Sequence, residues 1–208
     1  MKIQIALNRV DLEKKKAESI AEEAEDYIDI IEVGTSLIKD YGKKSVSFIR
    51  ERFKNRTVLA DVKTCDEGEY EFRAMFEAGA DIATVMGNSP IETIEICYNV
   101  SREYNKDIMI DLMETSKNKL AELKKFDDAI FFVHLPKDNK HVNLIGNFNK
   151  NSDLYRGIKR IAVGGNVRED ILKDIVLISP EILVVGSAIT KSSDIKLMAR
   201  RFKELLQK

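Results

Sequence analysis

The chain has 208 residues, 44% apolar and 33% charged, which suits one well-buried globular domain and excludes a disordered chain. A formal net charge of −1, with lysines interleaved among glutamates as in 13–23, offers no basic face for nucleic acid or an anionic membrane. No long apolar segment or leader pattern is visible and the only cysteines are Cys65 and Cys97, so no membrane span, signal peptide, disulfide framework or cysteine metal cluster is expected, and the expected compartment is the cytoplasm.

In chain order, the apolar periodicity predicts a strand over 3–7 that ends at Asn8, then a charged helix from Asp11 to about 25. A second strand covers 27–33, stops at Gly34-Thr35, and leads into one helix over about 37–53. The third strand is 58–62, with Asp61 and Lys63 two apart and so on one face, and a helix follows over 67–77. The fourth strand, 82–86, closes at Gly87, and Pro90 opens a helix reaching about 104. The fifth, 108–110, ends in Asp111 before a helix over 116–125, and the sixth, 129–133, ends in His134. Residues 135–152, rich in Asn and Lys and containing the second histidine, His141, read as the one long irregular stretch, a loop over one face. A short helical piece at 154–157, a seventh strand at 160–163, a helix at 167–174, an eighth strand at 182–185 and a last helix over 193–206 complete the chain.

Strand–helix alternation repeated eight times argues for a compact (β/α)8 TIM barrel as a single domain over 1–208, on the short side of the usual ~250 residues. A doubly wound open sheet is the alternative architecture. The barrel carries an internal test, because its active face lies at the C-terminal strand ends. Asn8, Glu32, Asp61, Lys63, Asp111 and His134 all fall there, followed by Gly164-Gly165-Asn166 and Gly186-Ser187-Ala188. Singly, each has a structural explanation: a helix cap for Asn8 or Asp111, a satisfied core imidazole for His134, salt bridges among Glu32, Asp61 and Lys63. Together they read as a site.

Glu32 and Asp61, at the ends of adjacent strands, suit a hard divalent cation such as Mg2+, with water and substrate oxygens completing the shell. Lys63 is placed to stabilise an oxyanion or move a proton; flanking carboxylates disfavour the free amine that a Schiff base needs. His134 suits acid–base work near neutral pH. Glycine turns after strands seven and eight let backbone N–H groups approach an anion, with Gly164, Gly165, Gly186 and the Ser187 hydroxyl forming the expected phosphate cradle. These parts suit a small sugar phosphate passing through an enediolate, which leaves aldol addition, retro-aldol cleavage, decarboxylation and isomerisation open.

The run Ala60-Asp61-Val62-Lys63-Thr64-Cys65-Asp66 resembles the D-x-K-x-x-D signature of the orotidine 5′-monophosphate decarboxylase superfamily, and the chain looks most like its 3-hexulose-6-phosphate synthase branch. The likeness extends over nearly the whole chain, including Ile31-Glu32-Val33-Gly34-Thr35, Val133-His134, Ala162-Val163-Gly164-Gly165 and V-V-G-S-A-I-T from Val184. It implies a TIM barrel and a Mg2+-dependent condensation of formaldehyde with D-ribulose 5-phosphate. Glu32 and Asp61 would be the metal carboxylates, Lys63 the motif lysine and His134 the proton-transfer histidine. Asp66 would reach the neighbouring site of a homodimer. Asn8, Asp111, Gly164, Gly165, Gly186 and Ser187 are the expected substrate contacts. The alternatives are the 3-keto-L-gulonate-6-phosphate decarboxylase branch and a diverged, weakly active or non-catalytic sugar-phosphate-binding paralogue. The chain departs from the pattern at Asn8, where the family has aspartate. Leu135-Pro136-Lys137-Asp138 replaces a glycine-containing loop without the decarboxylase branch's arginine, and Ser187 stands where glycine or arginine is usual.

Overall fold

The computed structural model describes residues 1–12, 16–138 and 142–206; His141 and residues 13–15 of the first expected helix lie outside them. The elements run β1 (Lys2–Leu7), α1 (Lys16–Ala24), β2 (Ile30–Val33), α2 (Thr35–Tyr41), α3 (Lys44–Arg52), β3 (Thr57–Thr64), α4 (Gly68–Glu77), β4 (Ile82–Met86), α5 (Ile91–Glu103) and β5 (Asp107–Asp111). There follow α6 (Lys117–Leu123), β6 (Ile130–His134), α7 (Leu144–Lys150), α8 (Ser152–Tyr155), β7 (Ile161–Gly164), α9 (Leu172–Ile178), β8 (Ile182–Val185), α10 (Ser187–Thr190) and α11 (Ile195–Leu206). All eight strands are parallel and pair in chain order, and β8 returns to β1, so the sheet closes into a barrel and the open-sheet alternative falls.

Strand alternation divides the core in two. Ala6, Ile30, Leu59, Ile82, Met109, Ile130, Phe132, Ala162, Ile182 and Val184 form one apolar cluster, the barrel filling. Their neighbours along each strand, such as Ile5, Ile31, Val58, Ala83, Ile110 and Leu183, join the helices in a second, larger cluster. Among the described residues no helix is long and apolar enough to cross a membrane.

Four sequence expectations need correction. The second strand begins at Ile30 rather than 27, because Glu25–Tyr27 form a 3-10 turn and the Asp29 carboxylate accepts the Ile3 N–H (2.8 Å). The helix expected over 37–53 breaks into α2 and α3 at Gly42, whose φ of +63° ends the first segment. The third strand runs on through Lys63 to Thr64. The stretch 135–152 is not irregular throughout: α7 lies within it, started by the Asn143 side chain accepting the Gly146 N–H (3.1 Å) and held by Leu144, Ile145 and Phe148 against the core.

The N-terminal rim is tied by ion pairs that explain how the barrel base is fixed. Asp81, just before β4, accepts the Val58 N–H (2.9 Å) and binds Lys106 (2.6 Å) and the Arg50 guanidinium. Partial burial would raise its carboxyl, but Lys106, the Val58 N–H and Arg50 hold it below the ordinary value. Asp81→Ala strips these partners at once and is expected to cost about 2–3 kcal/mol in a urea melt at pH 7. The deficit should shrink on acidification below pH ~4, because wild type also loses this charge there. A constant deficit down to pH 3 would contradict the electrostatic account.

Candidate active site

The C-terminal rim carries a buried, hydrogen-bonded chain of charged side chains. Glu32 and Asp61 stand at the tops of β2 and β3 and Asp111 at the top of β5; all three are buried, Asp111 fully. Lys63 Nζ lies 2.5 Å from Asp111 Oδ2 and 3.3 Å from Asp61 Oδ1. His134 Nδ1 lies 2.8 Å from the same Asp111 Oδ2, and its ring stacks on Phe132 at 4.5 Å between centroids. The other Asp111 oxygen accepts the Met113 N–H (3.0 Å). Asp61 accepts the hydroxyls of Thr84 (2.9 Å) and Thr35 (2.6 Å). Glu32 accepts the Gln4 amide (2.6 Å) and, at 3.5 Å, the Asn8 amide.

The electrostatics follow from that arrangement. Burial works against the Lys63 ammonium, but Asp61, Asp111 and Glu32 outweigh it and hold the proton on more firmly than in water. Lys63 is therefore a fixed cation, not a free amine. Burial would also raise Asp111, yet the hydrogen bond and charge of His134, together with Lys63, bring it down to about 2. An anionic Asp111 can only accept, so Nδ1–H of His134 donates to it and Nε2 is the basic nitrogen. Glu32 behaves oppositely: burial, then the neighbouring Asp61 charge, push it up to about 8 despite Gln4 and Lys63. Three carboxylates share one ammonium and one imidazole, and positive charge is short at the Glu32–Asp61 side.

Asn8 is seated by the neighbouring β2–α2 turn. Its carbonyl oxygen accepts the Ser36 N–H (3.3 Å) and hydroxyl (3.1 Å), and a Cβ on Gly34 would stand 2.3 Å from its amide nitrogen, so a side chain there would displace the Asn8 amide. The amide in place of a carboxylate gives Glu32 a donor rather than a further negative neighbour.

Across the rim, a cavity of about 710 Å³ is bounded by Gly165, Asn166, Arg168, Ser187, Asn143 and Lys137, among others. Gly165 has φ +103°, and a Cβ there would stand 2.4 Å from the Leu135 carbonyl oxygen. Gly165→Ala is therefore expected to destabilise the protein by about 2 kcal/mol and distort the turn. A thermal melt indistinguishable from wild type would show that the turn is not so constrained. Around Gly186 no atom lies within 4 Å of a Cβ position, so that turn is open above. Gly164 differs from the expectation for a cradle residue: it packs in β7, where a Cβ would press Val184 (2.8 Å) and the Phe132 ring.

Of the residues expected from the sequence, Asp61, Lys63, Asp111 and His134 are bonded in one network, the Asn8–Glu32 pair stands close enough for Glu32 to feel the Asp61 and Lys63 charges, and Gly165 and Ser187 border the cavity beside them. Asp66 does not join the network within this chain; it is exposed and accepts the Glu67 N–H (2.9 Å). Gln4, Thr35 and Thr84 were not evident from the sequence. Gln4 and Thr84 are fully buried polar residues flanked by apolar strand neighbours on both sides, and that pattern is the signal that marks them. The Gln4 Oε1 atom has no hydrogen-bond partner among the described residues. No group of three or more His, Cys, Asp or Glu side chains among the described residues is gathered around a common metal position.

A closed parallel barrel with a charged network and glycine turns on its C-terminal rim defines the class, and the family model described as Orotidine 5'-phosphate decarboxylase / HUMPS family matches residues 1–202. The chain belongs to that family. It is similar to 3-hexulose-6-phosphate synthase of Bacillus subtilis (strain 168), 29% identical over 210 residues and covering 99% of each chain. The crystal structure of 3-hexulose-6-phosphate synthase from Salmonella typhimurium matches with a TM-score of 0.93 at 31% identity, covering 100% of this chain and 99% of that one. The 3-keto-L-gulonate-6-phosphate decarboxylase from Vibrio cholerae O1 biovar El Tor matches at 0.87 and 26% identity, covering 99% and 97%.

Proposed function

We propose that this chain is a 3-hexulose-6-phosphate synthase, a Mg2+-dependent aldolase that joins formaldehyde to C1 of D-ribulose 5-phosphate. The observation that carries the reading is the Lys63 ammonium held between Asp61 and Asp111, with His134 on the same Asp111 oxygen, in a chain so similar over its length to relatives of that name. The reading assigns the sugar's phosphate to the Gly165 and Gly186-Ser187 turns.

Glu32 and Asp61 fit a magnesium ion, since both are hard oxygen donors and burial, then the neighbouring Asp61 charge, push the Glu32 carboxyl up. When bound, the ion would supply Lewis-acid charge to substrate oxygens. The chain's own groups do the rest. His134 Nε2 takes a proton from C1 of the sugar, and Lys63 stabilises the negative charge that develops on the C2 oxygen. The C1 carbon then bonds to the carbon of formaldehyde, whose oxygen takes the proton back from His134. Carbons shift number by one, so the former C2 carbonyl becomes C3 of the six-carbon product. Asn8 and Gln4 each donate an amide to a different oxygen of Glu32 and so orient its carboxylate.

The reading also has Asp66 act in the site of a second copy, consistent with its exposure beside the exposed Tyr70 at the start of α4. Asp61→Asn and Asp66→Asn chains, each inactive alone, should regain up to about a quarter of wild-type activity per subunit when mixed and allowed to exchange. No recovery after verified exchange would remove Asp66 from the shared site.

The test of the function is consumption of D-ribulose 5-phosphate with formaldehyde, with Mg2+ present and after chelation, beside 3-keto-L-gulonate 6-phosphate as a competing substrate. Metal-dependent condensation with little decarboxylation is expected. Decarboxylation without condensation would transfer the chain to the other branch, and sugar-phosphate binding without either would make it a binding paralogue.

A further inference from the structure

The strand that carries the site is not regular where the site begins. The β3–β4 pairing holds at Ala60↔Ala83 and resumes only at Thr64↔Val85. Three residues, Asp61, Val62 and Lys63, therefore face the single residue Thr84. In unbroken register Lys63 would sit opposite Met86, two residues or about 7 Å further along the strand. The bulge draws it back to the level of Asp61.

Such a bulge has two costs. Lys63 adopts φ +56°, the left-handed region that a side chain bearing a Cβ avoids. Its backbone N–H also leaves the ladder and needs another acceptor. Thr84 meets that need. The Lys63 N–H donates to Thr84 Oγ1 at 2.9 Å, and the same hydroxyl donates its one proton to Asp61 Oδ1 at 2.9 Å. Thr84 is 1% exposed and points into the barrel beneath the two residues it joins. Valine has the same shape but neither accepts nor donates, and serine restores both functions.

We propose that Thr84 is a positioning residue: its hydroxyl pins the left-handed backbone of Lys63 and the Asp61 carboxylate at once, and so sets where the ammonium stands. As far as turnover is concerned, this rests on the function proposed above. The Lys63–Asp61 spacing would then depend on a side chain from a neighbouring strand that touches no substrate.

The test compares Thr84→Val and Thr84→Ser in the full chain. In the condensation assay the valine variant should lose about 100-fold in kcat while KM for D-ribulose 5-phosphate stays within about threefold. The serine variant should return to within about threefold of wild type. Valine within threefold of wild type, or serine as impaired as valine, overturns the proposal. Amide hydrogen exchange at Lys63 supplies a readout that needs no activity. It should accelerate at least tenfold in the valine variant and recover in the serine variant, with the β4 amides unchanged. Unchanged Lys63 exchange also overturns the proposal. If the valine variant does not fold, Thr84→Ala is read against Thr84→Ser by the same criteria. An inactive wild-type protein would sink the proposed function, while the exchange measurement would still decide whether Thr84 holds Lys63.

Discussion

Lys63→Met is expected to reduce condensation by at least about 10³-fold, or about 4 kcal/mol of transition-state stabilisation. The reasoning starts from charge. Among the described residues Lys63 is the ammonium bonded to both Asp61 and Asp111, and those carboxylates hold its proton on, so it is the network's fixed cation for a developing oxyanion. Methionine keeps most of the stem's volume and removes the charge. The same change strips a buried ion pair of one partner and leaves Asp111 to His134 alone, which should lower stability by about 3–5 kcal/mol. Kinetics and a denaturant melt on one preparation separate the two effects. A folded variant within tenfold of wild-type kcat would show that Lys63 is structural.

Glu32→Gln should act in opposite directions on stability and on turnover. The Glu32 carboxyl sits at about 8 in the folded chain against an ordinary value of 4.5. A raised value means that the folded state holds the proton more tightly than the unfolded one. The associated stability is fully present below about 4.5 and is lost as pH rises through about 8, with a total on the order of 3–5 kcal/mol. Glutamine mimics the protonated form and still accepts from Gln4. Metal-free Glu32→Gln should therefore match wild type near pH 4.5, exceed its stability by a few kcal/mol near pH 8.5, and show a flatter pH profile between. Mg2+ should raise the melting temperature of wild type at pH 8 and not that of the variant, and the variant should turn over at least about 10²-fold more slowly. Parallel pH profiles for the two proteins would contradict the placement of an undercompensated charge at Glu32.

The barrel was legible because each of its strands is an apolar run bounded by a turn, and parallel strands buried on both faces read that way. The charged rim was legible for the same reason: carboxylates, a lysine and a histidine at the ends of such runs have no apolar role. What escaped notice depends on neighbours in space. Nothing in Val62-Lys63-Thr64 marks a left-handed lysine, a conformation that sequence reveals only where glycine or asparagine supplies it; here it is upheld by Thr84 from the next strand. Helix α7 is hidden in the sequence because glycine and four asparagines in and beside it argue against a helix, while Leu144, Ile145 and Phe148 packing on the core outweigh propensity. The second strand stops short of Tyr27 because Ile28, although buried, precedes Asp29, whose carboxylate accepts the Ile3 N–H of β1. Asp66 gave a motif without a location: within this chain it is exposed, accepts the Glu67 N–H and stands apart from the network.

In the proposed reaction this rim removes a C1 proton from a ketose phosphate and stabilises the resulting enediolate. That step is tested most directly by incubating the protein with Mg2+ and D-ribulose 5-phosphate in D2O, without formaldehyde, and following C1 by NMR. Wild type should take up one deuterium stereospecifically at C1, and Lys63→Met none above background. A sugar phosphate that binds, as shown by protection against thermal unfolding, yet keeps both C1 protons would contradict it.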